Sequence, residues 1–243
     1  MVKGLYIAAS SMLPRQFMQE AVTNNLANAS TTGYKKDRVF IRSLIDARQF
    51  LAYRAGDVTG TRVENVRTDY QQGPITETGN AFDFLLSGRG FFSVQTANGT
   101  LYTRNGRCYR ATDGTLVNSQ GDPILGEAGP IIVTGGRMDV TEGGDVLVDG
   151  VYVDTLRIRD FPGADNLLKA GDSLLVPLPG VTPQATPGTT RVMQGYVEES
   201  NVNTVEEMVN MIDILRNFEM LQRLIQMQDH TLQLATTEIG VVR

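Results

Sequence analysis

Residues 204–235 read TVEEMVNMIDILRNFEMLQRLIQMQDHTLQLA, a stretch without proline or glycine. Met211, Ile214, Phe218, Leu221, Ile225 and Leu232 recur along it in steps of three and four, and only Gln228 interrupts the row. That alternation draws one side of a helix out of water along its whole length. Thr204 and Glu207 stand at capping-box spacing, which predicts where the helix starts. About 30 residues at about 1.5 Å each make a rod of roughly 45 Å. A lone helix cannot bury such a stripe, so it must have a partner.

The other end of the chain offers one. Leu5, Ala8, Met12, Val22, Leu26 and Ala29 share a second helical register, with Arg15 and Gln19 in its middle. Pro14 is awkward there, because it removes a backbone donor and clashes with the carbonyl four residues back. Either the helix kinks at Pro14 or it begins near Ser11. Asn28 to Gly33 end it with turn-forming residues, and Gly33 suits a left-handed cap. The two ends are expected to meet. Met208, Ile212, Leu215 and Leu224 broaden the C-terminal stripe beyond what one thin partner helix covers. Self-assembly is therefore preferred over a closed two-helix hairpin.

The composition narrows the function classes. A chain of 243 residues is long enough for two domains, and 41% apolar with 20% charged residues is ordinary for a folded protein. A net charge of -5 argues against a general nucleic-acid binder. Cys108 is the only cysteine and His230 the only histidine, which forbids an internal disulfide and leaves little for zinc. No apolar run reaches the length of a membrane span, and Met1 to Tyr6 show no cleavable secretion signal.

Between the ends the periodicity is that of strands. Residues 35–54 are basic, a pattern read as a solvated face or a docking surface for an acidic neighbour. Residues 56–80 are polar and turn-rich. From Ala81 onward, short β-branched and aromatic runs alternate with the tight-turn pairs Asn98-Gly99, Asp113-Gly114, Gly143-Gly144 and Asp149-Gly150. These predict antiparallel hairpins. Pro177, Pro179, Pro183 and Pro187 mark an extended strap, and residues 191–196 a final strand. The fold class expected is α+β, with paired terminal helices and an antiparallel, mainly β domain. Its divisions are 1–34 with 196–243 (helical), 35–80 (connecting), and 81–195 (β-rich, with the strap at 177–190).

The search for chemistry comes back thin. His230 lies near the end of the C-terminal helix, where a surface or packing role is far commoner than catalysis, and Cys108 has no base nearby in sequence. Ser87-Gly88-Arg89-Gly90 and Thr134-Gly135-Gly136-Arg137 do not match phosphate-loop spacing, and no helix follows either. Glu206 and Glu207 open a helix, where negative charge is favoured anyway. Asp83, Glu127 and Asp160 are scattered carboxylates. No catalytic residue, metal site or cofactor is expected. A competing reading is an adaptor or chaperone module that binds a partner's helix through the C-terminal stripe.

Asn24-Asn25-Leu26-Ala27-Asn28-Ala29-Ser30-Thr31-Thr32-Gly33-Tyr34 resembles the N-terminal signature of bacterial flagellar rod and hook proteins, the axial family. Glu199-Ser200-Asn201-Val202-Asn203, with Glu206 to Ile212, resembles the family's C-terminal motif. Leu85 to Phe92, Tyr102 to Gly106 and Gly126 to Ile131 are similar to rod members. Arg216-Asn217-Phe218-Glu219-Met220 looks more like proximal-rod than distal-rod or hook members. Ser11 and Pro14 depart from the family pattern. The resemblance implies a structural rod subunit whose terminal helices line an export channel and whose β domain faces outward. It implies as partners further copies of the chain, other rod proteins, the flagellar type III export apparatus in transit, and ring or bushing proteins. It places the chain in the basal-body rod across the periplasm and wall, exported without a cleaved signal. The assembly interface is expected at Leu5, Met12, Val22, Asn24, Asn25, Leu26, Asn28 and Gly33, and at Asn201, Asn203, Met208, Met211, Ile212, Leu215, Phe218, Leu221, Ile225 and Leu232.

Overall fold

The computed structural model describes residues 2–45, 58–161, 163, 166–234 and 237. Among these, α1 spans Val2–Ala27 and α2 spans Thr204–Leu234. The first strands are β1 (Asp37–Ile45), β2 (Val58–Thr68), β3 (Ile75–Glu77), β4 (Phe84–Ser87), β5 (Phe91–Thr96) and β6 (Gly99–Thr103). Next come β7 (Tyr109–Arg110), β8 (Leu116–Val117), β9 (Met138–Val140), β10 (Asp145–Val148), β11 (Val151–Thr155) and β12 (Ile158–Asp160). The last are β13 (Leu167–Gly171), β14 (Leu174–Pro177), β15 (Gln184–Ala185), β16 (Arg191–Gln194) and β17 (Tyr196–Glu198). Two compact units result. One is Met1–Ala27, Asp37–Arg67 and Asn203–Arg243; the other is Asn28–Lys36 and Thr68–Val202.

In the helical unit α1 and α2 lie against each other, and β1 pairs with β2. The predicted row on α2 is its least exposed side: Ile214 is buried, and Met211, Phe218, Leu221, Ile225, Gln228 and Leu232 are half-buried. Helix α1 continues through Pro14 rather than starting at Ser11. An interior proline costs about 3 kcal/mol, and the Pro14 ring is buried. The start of α2 differs from the capping-box reading. Asn203, not Thr204, is the cap: its Oδ1 accepts from the backbone N–H of Val205 at 3.1 Å and of Glu206 at 3.3 Å. Thr204 is already helical, and an asparagine one position earlier meets the same orphan donors.

The β unit is built on a six-stranded sheet in the order β13-β14-β6-β5-β12-β15. Its strand pairings are antiparallel. Alternation along each strand gives the sheet two apolar faces. Phe92 and Val94 of β5, Leu174 of β14 and Ile158 of β12 enter the main core with Phe84, Leu86, Val146, Val148 and Val192. Phe91 of β5, Tyr102 of β6 and Leu175 of β14 point the other way, into a small cluster with Phe161 and Leu167. Tyr102 and Phe161 meet edge to face, with ring centroids 4.7 Å apart.

All four predicted tight turns join paired segments: β5 to β6, β7 to β8, β9 to β10 and β10 to β11. Asp149 and Gly150 both take positive φ, 51° and 82°, as the two-residue primed turn requires. The proline-rich strap is tied to the sheet edge, since β15 pairs with β12. Cys108, read from the sequence as a strand residue, sits one position ahead of β7 and is buried. Truncating a core side chain removes buried apolar surface and leaves a cavity. Leu116→Ala, at a site with no exposure, is expected to cost about 2–5 kcal/mol; urea unfolding of the purified chain, followed by tyrosine fluorescence, measures it.

Candidate functional site

The sequence motifs converge on one buried carboxylate. Glu198 closes β17, which pairs with β3, and is 1% exposed. Arg104, from the turn after β6, donates through Nε to Glu198 Oε2 at 2.7 Å. Its remaining nitrogens donate to the carbonyls of Gly90 at 2.5 Å, Leu86 at 2.6 Å and Gly88 at 2.6 Å. Lys35 Nζ donates to Glu198 Oε1 and to the Gln71 carbonyl at 2.7 Å. The Gly73 N–H donates to the same Oε1 at 3.0 Å. Burying a lone carboxylate costs several kcal/mol, and two cations with satisfied donors offset that cost. Burial pushes the Glu198 pKa up, but Arg104 and Lys35 outweigh it and hold the group below its ordinary 4.5. Burial lowers the Lys35 pKa, with Glu198 opposing.

The cluster fastens residues 28–36 to the rest of the β unit. The Gly33 N–H donates to the Glu198 carbonyl at 2.7 Å. Gly33 has φ +69, and a Cβ there would strike the backbone of Arg104 and Asn105. The positive φ read from the sequence is present, but it serves this close approach rather than a helix cap, because α1 ends earlier, at Ala27. Asn201 accepts from the Lys36 N–H at 2.7 Å and donates to the Asp69 and Gln71 carbonyls at 2.8 and 3.1 Å. Lys169 lies 4.0 Å over the Tyr34 ring and donates to the Lys35 carbonyl at 2.5 Å.

In the helical unit, Asn25 plays the matching part. Its amide donates to the Asp37 carbonyl and accepts from the Asp37 N–H, both at 2.9 Å. A side-chain amide thus copies a strand partner and joins the end of α1 to the start of β1. Asn28 accepts from the Thr31 hydroxyl at 3.2 Å, and Asn24 is exposed. Val22 is buried, and Met12 and Leu26 are half-buried. Leu5 lies in α1, and its side chain is outside the described residues. The structure therefore brings Asn25, Asn28, Asn201, Asn203 and Gly33 into contacts within the chain. The apolar residues of α2 divide into two sides. Beside the less exposed row, Met208, Ile212 and Leu215 stay 50%, 49% and 41% exposed. Val205, Val209, Met220 and Met227 are exposed as well.

Lys35, Arg104 and Glu198 were missed as a unit. The sequence sets Lys35 in a basic run, but its acidic neighbour, Glu198, is inside the same unit. The available signal was charge set inside apolar motifs, Gly33-Tyr34-Lys35 and Tyr102-Thr103-Arg104. The scattered carboxylates are held locally: Glu127 accepts two bonds of 2.8 Å from Arg159, and Asp160 pairs with Arg89 at 3.3 Å. No cluster of metal-ligating side chains occurs among the described residues, and no described helix is long and apolar enough to cross a membrane. Beside the buried cluster opens a cavity of about 320 Å³, bordered by Lys35, Arg89, Arg104, Phe91, Phe161 and Leu167.

Paired terminal helices with a surplus apolar side, flanking a β unit fastened by its own motifs, define a structural assembly subunit. Residues 5–35 match the family described as "Flagella basal body rod protein". Residues 85–154 match "Flagellar hook protein FlgE/F/G D1 domain", and 193–238 match "Flagellar basal body rod FlgEFG protein C-terminal". The flagellar basal-body rod protein FlgG of Buchnera aphidicola subsp. Schizaphis graminum is 32% identical over 255 positions, covering 96% of this chain and 98% of that protein. FlgF of Caulobacter vibrioides is 30% identical over 242 positions, covering 98% and 97%. FlgF of Rhizobium meliloti is 29% identical over 248, covering 99% of each. The chain belongs to the flagellar basal-body rod FlgE/F/G family. It is a structural subunit of the bacterial flagellar rod and assembles there with other rod proteins.

Removing one partner of a buried ion cluster costs about 3–5 kcal/mol. Glu198→Gln, which strands Lys35 and Arg104, is expected to lower β-unit stability by that order. Because the folded pKa of Glu198 is depressed, its contribution is fully present above its ordinary value and is lost as pH falls through the folded one. Wild-type stability should therefore fall on acidification below about 4.5, and the Glu198→Gln curve should be flatter there. Urea midpoints across pH 3–7 read both effects.

Proposed function

We propose that the paired helices form the inner tube of the rod and line its export channel, with the β unit turned outward. In this reading the helical parts of the segments 1–34 and 196–243 make the tube, while their residues 28–34 and 196–202 fold with the β unit; 35–80 hold the connection and 81–195 the outer domain. The observation that carries it is the exposed apolar side of α2 around Met208, Ile212 and Leu215, which α1 leaves uncovered. Exposed apolar surface of that extent marks a contact surface. The assembly residues are accordingly the apolar positions named above, with Leu13 and Phe17 of α1 added on their exposure of 59% and 45%. The subunit has no catalytic role. It reaches the rod through the flagellar type III exporter without a cleaved signal and passes ring or bushing proteins on its way across the periplasm and wall.

Within the family we assign the chain to the FlgF type, in the proximal rod. Arg216 to Met220 support this. So does length: the FlgG alignment needs 255 positions to cover 96% of this chain, and a FlgF alignment needs 242 to cover 98%. Immunogold labelling of purified basal bodies with antibody to the β unit should mark the proximal end of the rod. Label confined to the distal end would overturn the assignment.

Two substitutions separate the sides of α2. Ile212→Asp should leave the melting curve of the purified chain within about 0.5 kcal/mol of wild type and abolish incorporation into basal bodies. Ile214→Asp, at a buried position, should unfold the helical unit itself, seen as lost helical circular dichroism.

A further inference from the structure

Two features of the β unit leave apolar surface open, and they lie on opposite faces of the six-stranded sheet. The first is the cavity. Phe91 and Phe161 border it, and Arg89 stands at its rim with a side chain 65% exposed. The second is the β10–β11 hairpin. β11 is the outer strand of the sheet β11-β10-β9, and Val151, Tyr152 and Val153 on it are 68%, 58% and 40% exposed. A register shift opposite Val153 interrupts the β10–β11 pairing there. The opposition of the two follows from neighbours on β5. Phe91 borders the cavity, whereas Phe92 points through the other face into the core that holds Val146 and Val148 of β10. A hollow and a protrusion so placed cannot meet within one chain.

We propose that the β10–β11 hairpin of one copy seats in the cavity of the next, a head-to-tail contact between β units that adds to the contacts of the helices. A patch that fits a hollow elsewhere on the same molecule makes a heterologous contact, which propagates instead of closing. The chemistry of the two surfaces agrees. The Tyr152 ring meets an aromatic wall, where edge-to-face packing is favoured, and a rim guanidinium, which favours a ring face. The hairpin turn carries Asp149, whose carboxylate accepts from the N–H groups of Gly136 and Arg137 at 3.0 and 2.9 Å and is held below its ordinary pKa by them. The nearby Arg137 guanidinium is already paired with Asp139 at 3.0 Å. On the cavity side Lys35, Arg89 and Arg104 outnumber the carboxylates Asp160 and Glu198 by one. A hairpin tip with a negative surplus thus faces a hollow with a positive one.

The contact rests on the rod role already given, and cysteine pairs in full-length protein test it. Cys108 is buried, and burial pushes its thiol far above the ordinary pKa, so the background is silent. Tyr152→Cys combined with Arg89→Cys, or with Gln72→Cys at the exposed cavity border, is oxidised in basal bodies from motile cells. Covalent oligomers beyond the dimer are expected with either pair, and none from a single variant, because a ladder needs both surfaces on each copy. The same oxidation of purified chain at rising concentration scores the contact without requiring rod assembly. Monomers and dimers alone in both preparations overturn the proposal, and basal bodies that contain the chain without a ladder overturn it while leaving the rod role standing.

Discussion

Glu198 is the constraint around which the β unit closes. A carboxylate with 1% exposure is tolerable only with its charge balanced and its oxygens bonded. Its balance comes from distant parts of the chain: Lys35 from the segment after α1, Arg104 from the turn after β6, and the Gly73 N–H from the approach to β3. Arg104 then carries the constraint onward, holding the carbonyls of residues 86–90 that lead from β4 into β5. Removing the carboxylate would leave two cations buried among carbonyls with nothing to neutralise them.

That arrangement explains why the two sequence signatures stand at opposite ends of the chain. Gly33, Tyr34 and Lys35 meet Glu198 and Asn201 directly. Asn25 and Asn203 serve the helical unit, one by bonding both backbone groups of Asp37 and the other by capping α2. The polar signature residues are therefore fasteners within the subunit. The long apolar side of α2 around Met208, Ile212 and Leu215 stays exposed.

Much of this was legible in the sequence because it follows from short-range rules. The 3/4 row on α2 is a periodicity, and the side it marks is the least exposed side of the helix. The hairpins at Asn98-Gly99 and Asp149-Gly150 are set by turn chemistry that two residues suffice to specify. The helix cap lies one residue earlier than its spacing predicts, since Asn and Thr are both capping residue types and only the geometry shows that Asn203 accepts from the orphan donors. The Lys35–Glu198–Arg104 cluster was not legible, because no local pattern tells a buried charge from a solvated one when its partner lies 163 residues away. Gly33 shows the same limit: its conformation could be inferred from its neighbours, but the backbone of Arg104 and Asn105 that forbids a side chain there could not.

The glycine-rich loop Ser87-Gly88-Arg89-Gly90 has one more consequence. A phosphate cradle turns successive N–H groups inward, so that the positive ends of peptide dipoles converge on an anion. Here the carbonyls of Leu86, Gly88 and Gly90 converge instead on the guanidinium of Arg104. The loop is a cradle of inverted polarity, already filled by a cation of its own chain. A nucleotide phosphate placed at those carbonyls would meet the negative ends of three dipoles. The glycine spacing already departs from that of a phosphate loop; the direction in which the peptide groups face gives the physical reason that this loop holds a cation.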